Sequence, residues 1–501
     1  MTLLIALALG VLSAFAFQPV GFWPLMPVAF AGLFELIARA PTQRRAVGLG
    51  WWFGLGQFCV GLNWIATAFT YQAAMPAWLG WLAVVALSLY LAIYPMLATA
   101  VAWRIGRERP AILVVALAGA WIINEWLRAT VFTGFAWNPV GVTLVDTPLL
   151  AAIRWIGTYA LGALVVLIGG ALWLAWRRAF QPAALTAAAV LAFLLVPAAV
   201  LRPTDQPRPI RIVQPNIGQD VKWQPGFENV ANTKLNALTR PRDHRQELIF
   251  WPEAAVTEPL SDSRPGAAPY VQQERSQATA AVADRDVLLT GGIALRSKDG
   301  RRADSAANSI FVLGPGGRFI GRYDKAHLVP YGEYLPMRPI LSALGLSRLA
   351  PGEGDFDAGA GPSSLTLPEG WGKAGFQLCY EIIFSGYVVD RTNRPDFLFN
   401  PSNDAWFGRW GPPQHLAQAR LRAAEEGIPI IRSTPNGISA LVDARGKIVE
   451  SLPWHRAGII WADLPPPAAS IGPFARLGNA IPLLLGLALL VAAIALRRTR
   501  R

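Results

Sequence analysis

Cysteine is almost absent from this chain. Its 501 residues hold two, Cys59 and Cys379, and Cys59 lies deep in an apolar segment, so a disulfide framework is excluded. Histidine is nearly as scarce. His244, His327, His415 and His455 have no metal-ligand spacing with one another or with either cysteine, so no metal and no cofactor is expected. No Gly-rich loop opens a helix, which removes a nucleotide-phosphate site, and Gly314-Pro-Gly-Gly317 reads as a turn. Lysine is rare too, six against 39 arginines. Where any cation serves, this chain uses arginine, so each lysine marks a place that needs an ammonium group. Charged residues make up only 15% of the sequence.

Apolar residues fill the space, at 53% with a mean hydropathy of +0.35, the composition of a membrane protein. The net charge of +13 resembles a nucleic-acid signal until it is divided along the chain. Residues 205–475 carry 29 basic against 28 acidic side chains, and the remainder carries 16 against 4. The excess therefore sits at the ends of apolar segments, where it orients a protein in a bilayer. Crossing about 30 Å of hydrocarbon takes about 20 apolar residues. Segments of that kind run near 2–17, 20–38, 47–70, 77–103, 110–128, 149–176, 183–200 and 477–496, which predicts about eight spans. The first lacks a basic start and leads straight into further spans, so Ala14-Phe15-Ala16 is read as retained chain and not as a signal-peptide cleavage site.

Arg39, Arg44 and Arg45 follow the second span, Arg104, Arg107 and Arg109 the fourth, Arg177 and Arg178 the sixth, and Arg497-Arg-Thr-Arg-Arg501 the eighth. Every even-numbered exit is basic and so cytoplasmic, and the long segment between spans seven and eight must face outward. Trp51, Trp52, Trp78 and Trp81 fit an interfacial belt. Glu125 and Arg128, near the outer end of span five, are spaced for a local ion pair, with a lipid headgroup contact the less favoured reading.

The organisation expected is a transmembrane domain over 1–204, an extracytoplasmic α/β domain over 205–475 and a last span with a basic tail over 476–501. Within the middle part, Ile210–Gln214, Leu248–Trp251, Val287–Thr290, Ser309–Leu313, Gly375–Leu378, Phe397–Phe399 and Ile428–Ser433 read as strands. Gly314–Gly317 and Asp443-Ala-Arg-Gly446 read as hairpin turns, and 228–240, 266–283 and 413–426 as helices. Such alternation builds a layered α/β domain.

Three strand ends carry chemistry. Phe250-Trp-Pro-Glu253 delivers a carboxylate, the run from Tyr323 to Glu333 supplies Lys325, and Leu378-Cys-Tyr-Glu381 supplies a thiol. A thiol needs a base to become a nucleophile, and a cation steadies the oxyanion formed after attack. Glu253, Lys325 and Cys379 fill those three roles. The plain alternatives are a surface ion pair for the first two, a buried small hydrophobe for the cysteine, and a Cys379–His327 dyad.

At these residues the chain resembles the nitrilase (carbon–nitrogen hydrolase) superfamily, in its membrane-bound branch. The motifs are Val213-Gln-Pro-Asn216 with Trp223, Trp251-Pro-Glu253, Asp324-Lys-Ala-His-Leu-Val-Pro-Tyr-Gly-Glu-Tyr-Leu-Pro336, Cys379-Tyr-Glu381, Ser402-Asn-Asp-Ala-Trp-Phe-Gly408 and Arg432-Ser-Thr-Pro-Asn-Gly437. The resemblance implies an αββα sandwich on a multi-pass helical anchor in a bacterial inner membrane, with the catalytic domain facing the periplasm. It implies Glu253 as general base, Lys325 as stabiliser of the tetrahedral intermediate and Cys379 as nucleophile. Glu333, Tyr380 and Glu381 match supporting positions, and Trp223 one linked to substrate handling. The chemistry implied is ping-pong acyl transfer through a Cys379 thioester. The donor is a membrane glycerophospholipid, and the acceptor is the α-amino group of the S-diacylglyceryl-cysteine of a lipoprotein. Ile340-Leu-Ser-Ala-Leu-Gly-Leu346 is apolar enough for a lid that dips into lipid. The competing readings are a membrane-tethered amidase for a small amide and a transporter or lipid-binding scaffold.

Overall fold

The structure is a computed structural model that describes every residue except 72–75, 204–205, 223–225, 241–244, 344–347, 349–353 and 500–501, and of Glu228 only the backbone. As far as Leu195 the regular elements among the described residues are helices. Among the described residues, four helices are long and apolar enough to cross a membrane: Leu79–Gly106, Pro110–Thr130, Pro148–Trp176 and Ala480–Arg498. Thr2–Ala14, Leu25–Ala38 and Phe180–Leu195 are apolar but shorter. In chain order we label them α1 (Thr2–Ala14), α2 (Leu25–Ala38), α3 (Gln43–Gly61), α4 (Leu79–Gly106), α5 (Pro110–Thr130), α6 (Pro148–Trp176) and α7 (Phe180–Leu195). Without a hydrophobic drive between helices in lipid, close packing needs small residues. A Cβ on Gly10 would strike the Phe53 carbonyl and one on Gly56 the Leu7 carbonyl, so α1 and α3 can touch only because both positions are glycine.

The strands begin at β1 (Pro209–Gln214) and end at β13 (Gly458–Asp463). The first sheet runs β13, β1, β2 (Leu248–Phe250), β4 (Val287–Arg296), β5 (Ser305–Gly314) and β6 (Arg318–Asp324), with β3 (Pro259–Asp262) paired to β4. The second runs β12 (Ile448–Leu452), β11 (Ser439–Val442), β10 (Ile430–Ser433), β9 (Phe397–Pro401), β8 (Gly372–Phe376) and β7 (Ser364–Leu367). In each, a parallel centre is flanked by antiparallel strands: β1, β2 and β4 in one, β8, β9 and β10 in the other. The central strands are buried on both faces, so they read as continuous apolar runs instead of alternating ones. Between the sheets Phe250 packs on Phe399 at 5.0 Å and Tyr323 stacks on Phe376 at 5.8 Å. Helices α8 (Phe227–Thr239) and α9 (Ala268–Ala278) belong to the first half, and α10 (Gly411–Glu426) to the second, completing the αββα layering.

α10 starts with Pro412 in its first turn and stops at Gly427, whose φ of +67° suits a left-handed cap. Its far face rests on the helical bundle through a buried polar seam. Trp137 donates to Gln414 at 2.7 Å, the Asn138 amide to Gln418 at 3.2 Å, and the Thr158 amide to Glu425 at 2.8 Å. The last contact exists because α6 breaks at Gly157, where φ is +75° and a Cβ would collide with the Phe474 ring. The chain returns to the bundle in α11 (Ala480–Arg498), packed along α5.

The hairpin turns at 314–317 and 443–446 stand where the sequence puts them, between β5 and β6 and between β11 and β12. Several elements differ. The apolar run near 183–200 ends as helix at Leu195 and that near 47–70 breaks after Gly61, each before a Pro- or Asn-containing stretch. β4 continues to Arg296, six residues past the expected end, because β5 pairs with it along its whole length. Glu125 and Arg128 lie 4.0 Å apart, but the local pair is their lesser role. Arg128 donates to the Phe135 and Trp137 carbonyls at 2.8 Å each, and Glu125 accepts the Val140 amide at 2.7 Å. Together they fasten the loop after α5.

Candidate active site

Glu253 follows β2, Lys325 follows β6 and Cys379 follows β8. β2 and β8 are parallel-sheet strands, so two of the three groups emerge at carboxyl ends, where α/β sheets place their ligands. Register supplies the third. Ser309 pairs with Asp324, and the Lys325 amide then donates to the Asn308 carbonyl at 2.9 Å.

Lys325 is 1% exposed and its ammonium meets Glu333 Oε2 at 2.7 Å. Glu333 Oε2 also accepts the Val329 amide at 2.9 Å, which folds the 325–333 loop around the lysine. Asn308 Nδ2 donates to both Glu253 Oε1 and Glu333 Oε1 at 2.9 Å. The two carboxylates are thus held by one amide, while Glu253 Oε2, fully buried, has no hydrogen-bond partner among the described residues. That oxygen is the available proton acceptor. Burial opposes the charge on Lys325, but Glu333, Glu253 and Cys379 outweigh it and hold the ammonium well above the usual lysine range.

Cys379 sits at the start of a tight turn, Cys379–Ile383, with φ of +52°. A non-glycine residue in that region is strained and needs an anchor. Glu381 provides it. Its Oε2 accepts the Leu378 amide at 2.7 Å, its Oε1 accepts the Ala326 and His327 amides at 2.8 and 2.9 Å, and the Tyr323 hydroxyl donates to it at 2.9 Å. One buried carboxylate therefore ties the cysteine turn to the lysine loop. Burial raises Glu381 and those backbone donors oppose the rise. Burial, then the Glu253 carboxylate, push the Cys379 thiol well above its ordinary range, with Lys325 and the Asn403 amide pulling the other way. Cys379 therefore rests as a neutral thiol near the Glu253 carboxylate.

Behind the turn lies a buried charge cluster that the sequence motifs contain but do not explain. Arg432 Nη2 donates to Asp404 at 2.5 Å and to His415 Nδ1 at 3.1 Å, and its Nη1 binds Asn400 and Ser402. With Nδ1 accepting from Arg432, Nε2 carries the hydrogen and donates to the Cys379 carbonyl at 3.1 Å. Burial first, then Arg432, lower His415 to about 4, so the imidazole is neutral.

The structure brings together Glu253, Lys325, Cys379, Glu333 and Glu381. Tyr380 is beside them, with its hydroxyl 3.4 Å from the Gly134 carbonyl of the loop after α5. Trp223 lies outside the described residues. His327 is no partner for the thiol: its ring packs on Phe384 at 3.9 Å and its Nε2 meets the Thr133 carbonyl at 3.0 Å. Of the expected lid, Arg338–Ala343 is a short helix with Ile340 exposed, and 344–346 lie outside the described residues. Asn308 and His415 adjoin these residues and were not singled out from the sequence. For Asn308 there was a signal, a lone amide inside the apolar run of β5. No group of three or more His, Cys, Asp or Glu side chains among the described residues could hold a metal ion.

An elbow cysteine, a buried lysine and a carboxylate on an αββα sandwich define a carbon–nitrogen hydrolase, and residues 210–470 match that family, described as Carbon-nitrogen hydrolase. Residues 9–172 match a second family, Apolipoprotein N-acyltransferase N-terminal domain. The Apolipoprotein N-acyltransferase of Rhodopseudomonas palustris is 35% identical, covering 99% of this chain and 95% of that protein. Those of Allorhizobium ampelinum and Bradyrhizobium diazoefficiens are also 35% identical, over 91% and 98% of this chain and 88% and 94% of theirs. The solved structure of Saccharomyces cerevisiae Nit3, a member of branch 10 of the nitrilase superfamily, is 19% identical, with a TM-score of 0.35, over 52% of this chain and 90% of that one. The chain belongs to the apolipoprotein N-acyltransferase family, and it is an acyltransferase.

Proposed function

We propose that the protein N-acylates lipoproteins by a ping-pong reaction through a thioester on Cys379. Glu253 Oε2 takes the thiol proton as sulfur attacks an acyl ester of a membrane glycerophospholipid. Lys325 steadies the oxyanion, and the proton passes to the departing lysophospholipid. The α-amino group of an S-diacylglyceryl-cysteine then attacks the thioester, gives its proton to Glu253, and leaves as an amide while Cys379 recovers its thiol. The observation that carries this reading is the Glu253 carboxylate, fixed by Asn308 through one oxygen and unpartnered at the other, beside a neutral thiol and a charged lysine.

The domains follow as 1–204 in the membrane, 205–475 catalytic and 476–501 returning through the bilayer. About eight spans would place the catalytic domain on the periplasmic face of a bacterial inner membrane. What supports that orientation is the gathering of basic helix ends on one side. Arg497 donates to the Arg104 carbonyl at 2.7 Å, and Arg39 and Arg177 both reach Glu35. Two bilayer-bound substrates would then meet the thiol without leaving the membrane surface.

The test is a single-turnover reaction of purified protein with phospholipid and a diacylglyceryl-cysteine peptide. Equal amounts of lysophospholipid and acyl amide are expected. Free fatty acid in place of the amide would return the site to a hydrolase, and absence of both products would point to a small amide as substrate.

A further inference from the structure

Between β1 and α8 the chain makes a single turn of helix, Gln219–Lys222. It is buried at both ends, Gln219 at 7% exposure and Lys222 at 5%. Burying a lysine is costly unless the ammonium is met by oxygen. Lys222 Nζ donates to the Glu253 carbonyl at 3.1 Å, and the Glu253 side chain is close enough to attract it. The residue after Glu253, Ala254, has φ of +45°, so the strand end that aims the carboxylate is held in a strained form. At the other end of the turn, Gln219 Oε1 accepts from Asn403 Nδ2 at 2.8 Å. Asn403 is the residue whose backbone amide bonds the Cys379 thiol.

We propose that the turn Gln219–Lys222 is a positioning clamp that grips both reacting groups, with Lys222 fixing the Glu253 backbone while Gln219 fixes the thiol through Asn403. The clamp rests on the thioester reading given above. Neither Lys222 nor Gln219 need touch substrate. Among the described residues, the charged and titratable groups facing Glu253 are Lys222 from the turn, Lys325 from the loop after β6, Cys379, and Glu333 through Asn308. Lys325 is held by Glu333 at 2.7 Å, so the two lysines serve the site differently, one facing Glu333 and the other the Glu253 backbone. Burial lowers Lys222 to about 8, with Glu253 opposing, so its charge fades just above neutral pH.

The test uses the full chain in phospholipid-containing detergent micelles, following acyl adduct formation and iodoacetamide alkylation of Cys379 against pH. Lys222→Met should slow adduct formation by about 100-fold, the loss that follows from misplacing a reacting group by about 1 Å. It should also abolish the decline of the wild-type profiles above pH 8, where Lys222 loses its charge. Lys222→Arg should restore most of the rate and keep it above pH 8, where the wild type declines. Gln219→Leu should slow alkylation without removing that decline. A Lys222→Met protein with wild-type rate and profile overturns the clamp. So does equal loss in Lys222→Met and Lys222→Arg with the decline above pH 8 retained in both, which marks a folding role alone. If the wild type never forms an adduct but the alkylation profiles still separate, the clamp stands and the thioester reading falls.

Discussion

Lys325 and Glu333 form a buried ion pair 2.7 Å long, eight residues apart on one loop, with side chains 1% and 8% exposed. The pair neutralises the lysine at rest, so the ammonium can face the reacting centre without an uncompensated buried charge. Removing one partner of such a pair costs about 3–5 kcal/mol, because the other is left alone in a low-dielectric site. Glu333→Gln keeps the shape and removes the charge. We expect it to form the acyl adduct far more slowly and to lose about 3 kcal/mol of stability, read by adduct kinetics and denaturant midpoints. Unchanged kinetics would place Glu333 outside the machinery.

Asn308 offers a sharper probe, since its side-chain amide donates to two carboxylates. In Asn308→Leu both oxygens lose a donor in a buried site, at about 1–3 kcal/mol each. In Asn308→Asp a third carboxylate joins the same cluster. The expected order of activity is wild type, then Asn308→Leu, then Asn308→Asp, with the gap between the two variants narrowing as pH falls. An Asp variant as active as the wild type would mean that the oxygens have other donors.

His415 makes stability depend on pH. Its folded-state value of about 4 lies below the usual 6.5, so the folded protein resists the proton that the unfolded chain accepts. Its penalty is absent above pH 6.5, grows as pH falls, and levels off below about 4. At about 1.4 kcal/mol per unit this reaches about 3 kcal/mol. Asp404 and Arg432 face the ring and Asp404 is held low, so the carboxylate adds its own loss only below the usual Asp range. Melting followed from pH 7 to 4 should show a steep decline in the wild type and a shallower one in His415→Gln. Parallel curves would contradict the neutral imidazole.

How much of this was legible in the sequence depends on the kind of information each residue carries. Glu253, Lys325 and Cys379 stand at strand ends within recognisable motifs, so local pattern finds them. Glu333 and Glu381 are visible in the same motifs, but their partners are not, because Tyr323 to Glu381 and Lys325 to Glu333 are joined only by folding. Asn308 and Lys222 belong to no motif tied to chemistry. Their roles come from register and from a turn packed under a distant strand, and neither has a sequence period. The strands missed, such as β7 and β12, are short edge strands whose alternation is too brief to separate from loop. The helical run 183–200 was overextended because apolarity alone does not mark where a helix ends.

Met337 and Ile340 flank the loop that carries Glu333 and are exposed at 64% and 61%. Apolar side chains in such positions seek a lipid surface. Met337→Asp with Ile340→Asp should reduce turnover on phospholipid vesicles while leaving iodoacetamide alkylation of Cys379 unchanged. Equal activity on vesicles would show that this helix does not meet the bilayer.

The central claim is that acyl transfer passes through Cys379, and intact-mass measurement of the purified protein with phospholipid tests it most directly. The account predicts a gain of one fatty acyl group, absent in Cys379→Ala and discharged by a diacylglyceryl-cysteine peptide. A wild-type protein that yields acylated peptide while never carrying the acyl mass, or a Cys379→Ala protein that still carries it, would contradict the account.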